Sequence, residues 1–222
     1  MTIDIYRNKF TWLFNFRKED GMIAIIDYDA GNLKSVEKAF HYLGQETLIT
    51  RDYKELLKAD KVILPGVGSF GEAMAKLKSF DLIQPIHEIV QKNIPFLGIC
   101  LGLQLLYKGS EESQGIEGLS ILEGDIKRIP QGKGIKIPHI GWNSLTMRQD
   151  AKLFQGIEKD SYVYFVHSYY LQSKKAEEVA ATTYYNATIH ASVEKENVFG
   201  CQFHPEKSGT VGLTILNNFA TY

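Results

Sequence analysis

Met22-Ile23-Ala24-Ile25-Ile26 is an unbroken apolar run that stops at Asp27. A run of that length without polar alternation suits a strand buried on both faces, and such strands belong to sheets covered by helices on each side. The next segment supplies a cover. After a turn at Ala30-Gly31-Asn32, the residues Leu33, Val36, Phe40 and Leu43 recur at helical spacing, and Gly44 provides a stop. The alternation continues. Thr47-Leu48-Ile49, Lys61-Val62-Ile63-Leu64 and Pro95-Phe96-Leu97-Gly98-Ile99 read as strands, with helical patterns over 72–77 and 82–90. Strands alternating with helices imply βαβ units and a parallel sheet. After Gly109 the pattern changes. Segments 162–166, 179–182 and 198–203 are β-like with Gly, Asn and Pro between them, and a last helix carries Val211, Ile215 and Phe219 on one face. The expected fold is α/β: a mixed, largely parallel central sheet flanked by helices, with a smaller antiparallel β portion in the C-terminal half.

A chain of 222 residues is long enough for one domain with a real core. Lys and Arg number 25 against 26 Asp and Glu, a formal net charge of -1, so nothing in the charge balance directs the chain to nucleic acid or a membrane surface. Its two cysteines, Cys100 and Cys201, make no disulfide framework and suit a reducing cytoplasm. No apolar run is long enough to span a bilayer. The aromatic stretch over 10–16 is broken by Asn15 and runs into Arg17-Lys18-Glu19-Asp20 without a small-residue cleavage site, so it does not read as a signal peptide. Residues 1–21 are expected to be an extension, or the product of a start assigned upstream of Met22; the alternative is an aromatic segment packed on the domain or a neighbour. Residues 22–222 form the expected domain.

The chemistry concentrates at Gly98-Ile99-Cys100-Leu101-Gly102, between an apolar strand and the helical run Leu103-Gln104-Leu105-Leu106. This G-x-C-x-G pattern is the thiol counterpart of the nucleophile elbow, where only small neighbours allow a sharp strand-to-helix turn. The helix start favours a thiolate, and the N–H of Leu101 is placed for a developing oxyanion. The plainer reading of Cys100 is a buried structural cysteine. Phe203-His204-Pro205-Glu206 shifts that balance. In an extended segment residues i and i+2 point to one side, so His204 and Glu206 face together as a base and the carboxylate that orients it. A metal site built from Cys100, His204 and Glu206 fits less well, because a glycine-flanked elbow serves a nucleophile; no metal is expected. Cys201 reads as a small core residue. Gly66-Val67-Gly68-Ser69-Phe70-Gly71 matches G-x-G-x-x-G, the dinucleotide fingerprint. It follows the third strand, however, and no acidic residue ends a strand about 20 positions on, so an oxyanion loop explains the same glycines.

G-I-C-L-G with a downstream H-P-E resembles the class I glutamine amidotransferases. Pro65-Gly66-Val67-Gly68-Ser69-Phe70, Pro138-His139-Ile140-Gly141-Trp142-Asn143, Lys207-Ser208 after the H-P-E, the start over 26–33 and Gly109-Ser110-Glu111-Glu112 look like the branch of that family formed by the glutaminase subunits of imidazole glycerol phosphate synthases. The resemblance covers 22–222 and implies roles. Cys100 attacks the glutamine amide and forms a glutamyl thioester, His204 moves the proton, and Glu206 orients His204. Leu101 with Gly66, Val67 and Gly68 supplies the oxyanion donors. Gln104 and the backbone around Ser168 and Tyr169 hold glutamine. Trp142, Asn32 and Lys207 face the partner, a (βα)8-barrel cyclase in a heterodimer, and the glutaminase step needs no cofactor. Two other functions stay open. One is a paralogue feeding ammonia to an amidotransferase that modifies a surface sugar; the other is a non-catalytic binding module on the same fold.

Overall fold

The first apolar run becomes β1 (Met22–Ile26), and its side chains serve two cores in alternation. In the computed structural model, which describes residues 21–222, Ile23 and Ile25 enter a core on one side of the sheet and Ala24 and Ile26 a core on the other. That is the two-residue period of a strand expressed as packing. The expected N-terminal extension lies outside the described residues, Gly21 apart.

The elements follow in alternation: α1 (Leu33–Tyr42), β2 (Glu46–Thr50), α2 (Tyr53–Lys58), β3 (Lys61–Gly66), α3 (Phe70–Ser79), α4 (Ile83–Gln91), β4 (Phe96–Cys100) and α5 (Leu101–Leu105). The second half adds β5 (Gly124–Arg128), β6 (His139–Ser144), β7 (Thr146–Met147), β8 (Tyr162–His167), β9 (Tyr169–Ser173), β10 (Val179–Tyr184), β11 (Thr188–Lys195), β12 (Val198–Cys201) and the final helix α6 (Gly209–Ala220). Val36 and Phe40 of α1 and Ile215 and Phe219 of α6 fill one core; Leu56, Leu77, Ile86 and Ile89 of α2, α3 and α4 fill the other. Burying a side chain such as Phe40 stabilises the fold by roughly 1.5–3 kcal/mol.

The central sheet runs β2-β1-β3-β4-β12-β11-β10-β7. The first five strands are parallel and β11, β10 and β7 are antiparallel to their neighbours. Two antiparallel ribbons, β5–β9 and β6–β8, complete the β structure among the described residues. The mixed, largely parallel sheet and the antiparallel second half are thus as expected. The last strand among the described residues, β12, lies beside β4, with Gly200 opposite Gly98 and Cys201 opposite Ile99. In such sheets ligands sit beyond the carboxyl ends of the strands, and β4 and β12 both end at the chemistry-bearing motifs.

Candidate active site

Cys100 ends β4 at φ +55°, ψ −108°, a conformation that costs a non-glycine residue about 1–3 kcal/mol. The flanking glycines are explained by space. A Cβ on Gly102 would lie 1.8 Å from the Leu64 carbonyl oxygen of β3, and one on Gly98 would lie 2.7 Å from the Gly102 carbonyl oxygen. The strand-to-helix turn can close only without those methyl groups. Leu101 opens α5 directly behind the thiol.

His204 follows β12, but Glu206 lies in a 3-10 turn over Pro205–Lys207 and not in the extended segment expected; the fixed φ of Pro205 suits the start of that turn. Glu206 Oε1 accepts from His204 Nδ1 at 2.7 Å, and both side chains are out of solvent. A carboxylate that takes the Nδ1 proton's bond leaves Nε2 as the basic nitrogen of the neutral ring. His204 Nε2 is buried and has no hydrogen-bond partner among the described residues, so the nitrogen needed for proton transfer is uncommitted. Burial depresses the His204 pKa, but the Cys100 sulfur and the Glu206 carboxylate outweigh it and lift the ring to about 9. The charged imidazolium is therefore favoured. Ser208 holds the turn: its hydroxyl donates to the His204 carbonyl at 2.6 Å and accepts from the Tyr164 N–H at 3.0 Å. Asn32, expected at the partner surface, gives its amide to Glu206 Oε1 at 2.5 Å, and so acts as a second orienting group on the carboxylate.

Cys100 and His204 open into a cleft of ≈ 310 Å³. Leu101, Val67, Gly68, Gln104, Ser168 and Tyr169 line it, so the expected oxyanion and substrate groups converge there. Gly66 sits just behind, where a Cβ would meet the Tyr28 hydroxyl at 2.5 Å. Trp142 and Lys207 lie outside the cleft and are exposed; Trp142 keeps an edge contact with Tyr164 at 6.1 Å between ring centroids.

The cleft also contains groups that carried no assigned role in the motif reading. Glu112 lines it, and its Oε2 accepts the Phe70 N–H at 2.7 Å, while Ser113 Oγ accepts the Gly71 N–H at 3.0 Å. These bonds decide the G-x-G-x-x-G question. The helix start that a pyrophosphate would need is occupied by a carboxylate, which would repel it. His167 lines the cleft as well. Its Nδ1 meets the Tyr169 carbonyl at 2.9 Å, which can only accept, so Nδ1 carries the proton; His139 Nδ1 then donates to His167 Nε2 at 3.1 Å. Burial holds both rings neutral, with pKa values down to about 3 for His167 and about 4 for His139. His139 is stacked between Phe165 and Tyr185. Gln104 Nε2 donates to the Tyr169 carbonyl and to Gln202 Oε1, each at 3.0 Å, which leaves its own carbonyl oxygen for a ligand. Gln202 Nε2 lies 3.8 Å from Cys100 Sγ. Both cysteines are free thiols, and burial pushes the Cys201 thiol well up, so it stays protonated in the core. Among the described residues no group of three or more His, Cys, Asp and Glu is placed to hold a metal.

A strained cysteine backed by a histidine–carboxylate pair, in a cleft with convergent backbone and amide groups, is equipped for acyl transfer from an amide. The family model "Glutamine amidotransferase class-I" matches residues 24–221. The chain is 50% identical over 198 residues to the imidazole glycerol phosphate synthase subunit HisH of Caldanaerobacter subterraneus subsp. tengcongensis, covering 89% of this chain and 97% of that protein. It is 48% identical over 198 residues to the subunit of the same name from Methanocaldococcus jannaschii, covering 89% and 98%. Among solved structures, a glutamine amidotransferase superposes with a TM-score of 0.71 at 18% identity, over 90% of this chain and 99% of that one. PurLQS from Thermotoga maritima gives 0.68 at 19% identity, over 89% and 96%; these two likenesses concern the fold. The chain belongs to the class I glutamine amidotransferases, in the branch of the imidazole glycerol phosphate synthase HisH subunits.

Proposed function

We propose that this chain hydrolyses glutamine as the glutaminase subunit of an imidazole glycerol phosphate synthase in histidine biosynthesis, and delivers the ammonia to a (βα)8-barrel cyclase with which it forms a cytoplasmic heterodimer. The observation that carries the chemistry is the uncommitted His204 Nε2, buried beside Cys100 and backed by Glu206. The partner and pathway rest on the name borne by relatives of half identity over nearly their whole length. The two free thiols suit a reducing compartment, and among the described residues no helix is long and apolar enough to cross a membrane.

In this reading Cys100 Sγ attacks the carboxamide carbon. The N–H of Leu101 and one from the loop over 66–68 stabilise the oxyanion, each donor being worth ~10²–10³ in rate. His204 Nε2 passes its proton to the departing ammonia, leaving a glutamyl thioester. It then takes a proton from the water that releases glutamate. Glu206 and Asn32 keep the ring oriented through both steps. The Gln104 carbonyl oxygen, the backbone at Ser168 and Tyr169 and the Glu112 carboxylate face the amino-acid head group, whose ammonium suits the acceptors.

The test is reconstitution with the cyclase and its phosphoribulosyl-formimino acceptor. Cys100→Ser is expected to abolish synthesis from glutamine, a loss of at least ~10³-fold by analogy with other nucleophile removals, while synthesis from ammonium salts continues. Loss of both activities in a complex that still assembles would refute the division of labour. Glutamine hydrolysis without any imidazole product would refute the pathway alone.

A further inference from the structure

Gln202 has no part in the steps above, yet it is fully buried against the nucleophile. The sheet puts it there. Strands β4 and β12 are parallel with Cys201 opposite Ile99, so one residue further along Gln202 comes against Cys100. Gly98 and Gly200, opposite each other, keep that side of the strand pair open to α5: a Cβ on Gly200 would lie 2.2 Å from Leu103 Cδ1.

The orientation of the Gln202 amide is fixed by its other end. Gln104 Nε2 can only donate, so the Gln202 atom 3.0 Å from it is the carbonyl oxygen. The amide nitrogen is then the atom 3.8 Å from Cys100 Sγ. Besides the His204 ring, the sulfur also faces the Val166 carbonyl at 4.0 Å, which accepts from a thiol but repels a thiolate. The two contacts therefore favour different protonation states: Val166 suits S–H, and Gln202 suits S⁻.

We propose that Gln202 stabilises the Cys100 thiolate through an N–H···S hydrogen bond and ties it, through Gln104, to the side chain that faces the substrate. The proposal rests on Cys100 being the nucleophile. One amide thus relates the position of the attacking sulfur to that of Gln104, across positions 98 residues apart in sequence. Since Gln104 also holds the Tyr169 carbonyl, nucleophile and head-group site share one frame.

The experiment is the pH dependence of alkylation by iodoacetamide in the full chain, with the modified cysteine identified by peptide mass. It needs neither glutamine nor cyclase. Gln202→Met removes the donor at similar length; Gln202→Glu keeps an oxygen toward Gln104 but sets an acceptor against the sulfur. The midpoint for Cys100 is expected to rise by about one unit in the first and by more in the second. Below the midpoint this is about tenfold slower alkylation, and with glutamine kcat should fall more than KM changes. An unmoved midpoint in either folded variant would overturn the proposal, whatever its melting temperature, because that marks a purely structural residue. If both Gln202 variants failed to fold, Gln104→Met, which releases the anchored end of the amide, carries the same test: a raised midpoint supports the tie and an unmoved one overturns it. Glutamine hydrolysis with an unmoved midpoint sinks this contact alone; a moved midpoint without any hydrolysis sinks the glutaminase reading alone.

Discussion

A single methyl group at position 102 would collide with the Leu64 carbonyl oxygen at 1.8 Å, and backbone cannot yield as a side-chain end can. Gly102→Ala is therefore expected to cost about 3 kcal/mol or more, read from the denaturant midpoint. Gly109→Ala, whose Cβ would be no nearer than 3.4 Å to Ile116 O, should change stability little. Asn32 offers a cleaner dissection. Its backbone is left-handed at φ +76°, so Asn32→Gly keeps the conformation and deletes only the amide on Glu206. A bond to a charged group is worth ~1.5–3 kcal/mol, and kcat is expected to drop about tenfold or more with KM little changed. An unchanged kcat would show that Glu206 holds His204 without help. His204 and Glu206 were readable together because they lie two apart in sequence, although a 3-10 turn over Pro205–Lys207, not an extended segment, brings them together. Asn32 was not, because its partner is 174 residues away and no local pattern encodes that meeting.

At the level of elements, the strands buried on both faces were legible, as were the partly exposed β2, β8 and β10, whereas β5, β6, β7, β9 and β11 were not. β1, β3 and β4 are continuous apolar runs. β6 carries exposed Ile140 and Trp142 and a glycine at φ +134°, so it has no strand signature of its own and is held by pairing with β8. α2 is six residues long, too short for a helical period, and its one signal is Asp52, which caps the N–H groups of Lys54 and Glu55. The β6–β8 pairing sets His139 opposite His167 and so creates the buried imidazole pair. Their folded pKa values, about 4 and about 3, lie below the ordinary 6.5. The unfolded chain then binds more protons as the pH falls below 6.5, so stability is lost from there toward pH 4 and is complete above it. The loss is expected to be ~1–3 kcal/mol, several degrees in Tm. His139→Phe, which fits between Phe165 and Tyr185, should make that acid decline shallower; an unchanged slope would place the acid sensitivity elsewhere.

For the molecule as a whole, the outer face of the β6–β8 ribbon presents apolar side chains to solvent. Ile140 and Trp142 share one face of β6, and Tyr162 lies across from Ser144 on that same side. All three are more than half exposed, and Val166 on this ribbon also borders the cleft. A contiguous apolar face beside an active site fits a partner that receives what the site releases. Trp142→Ala is expected to weaken binding to the cyclase by ~2 kcal/mol, measured by calorimetry, with the melting temperature of the free subunit nearly unchanged. Unchanged affinity would place Trp142 outside the interface. The pairing of β4 with β12 has a further consequence. The thiol and its base arrive on neighbouring strands, but β12 is made long after β4. A chain still on the ribosome, or one cut short before residue 198, carries Cys100 without its base or its carboxylate. Copies that stop short of His204 are thus unable to consume the cell's glutamine.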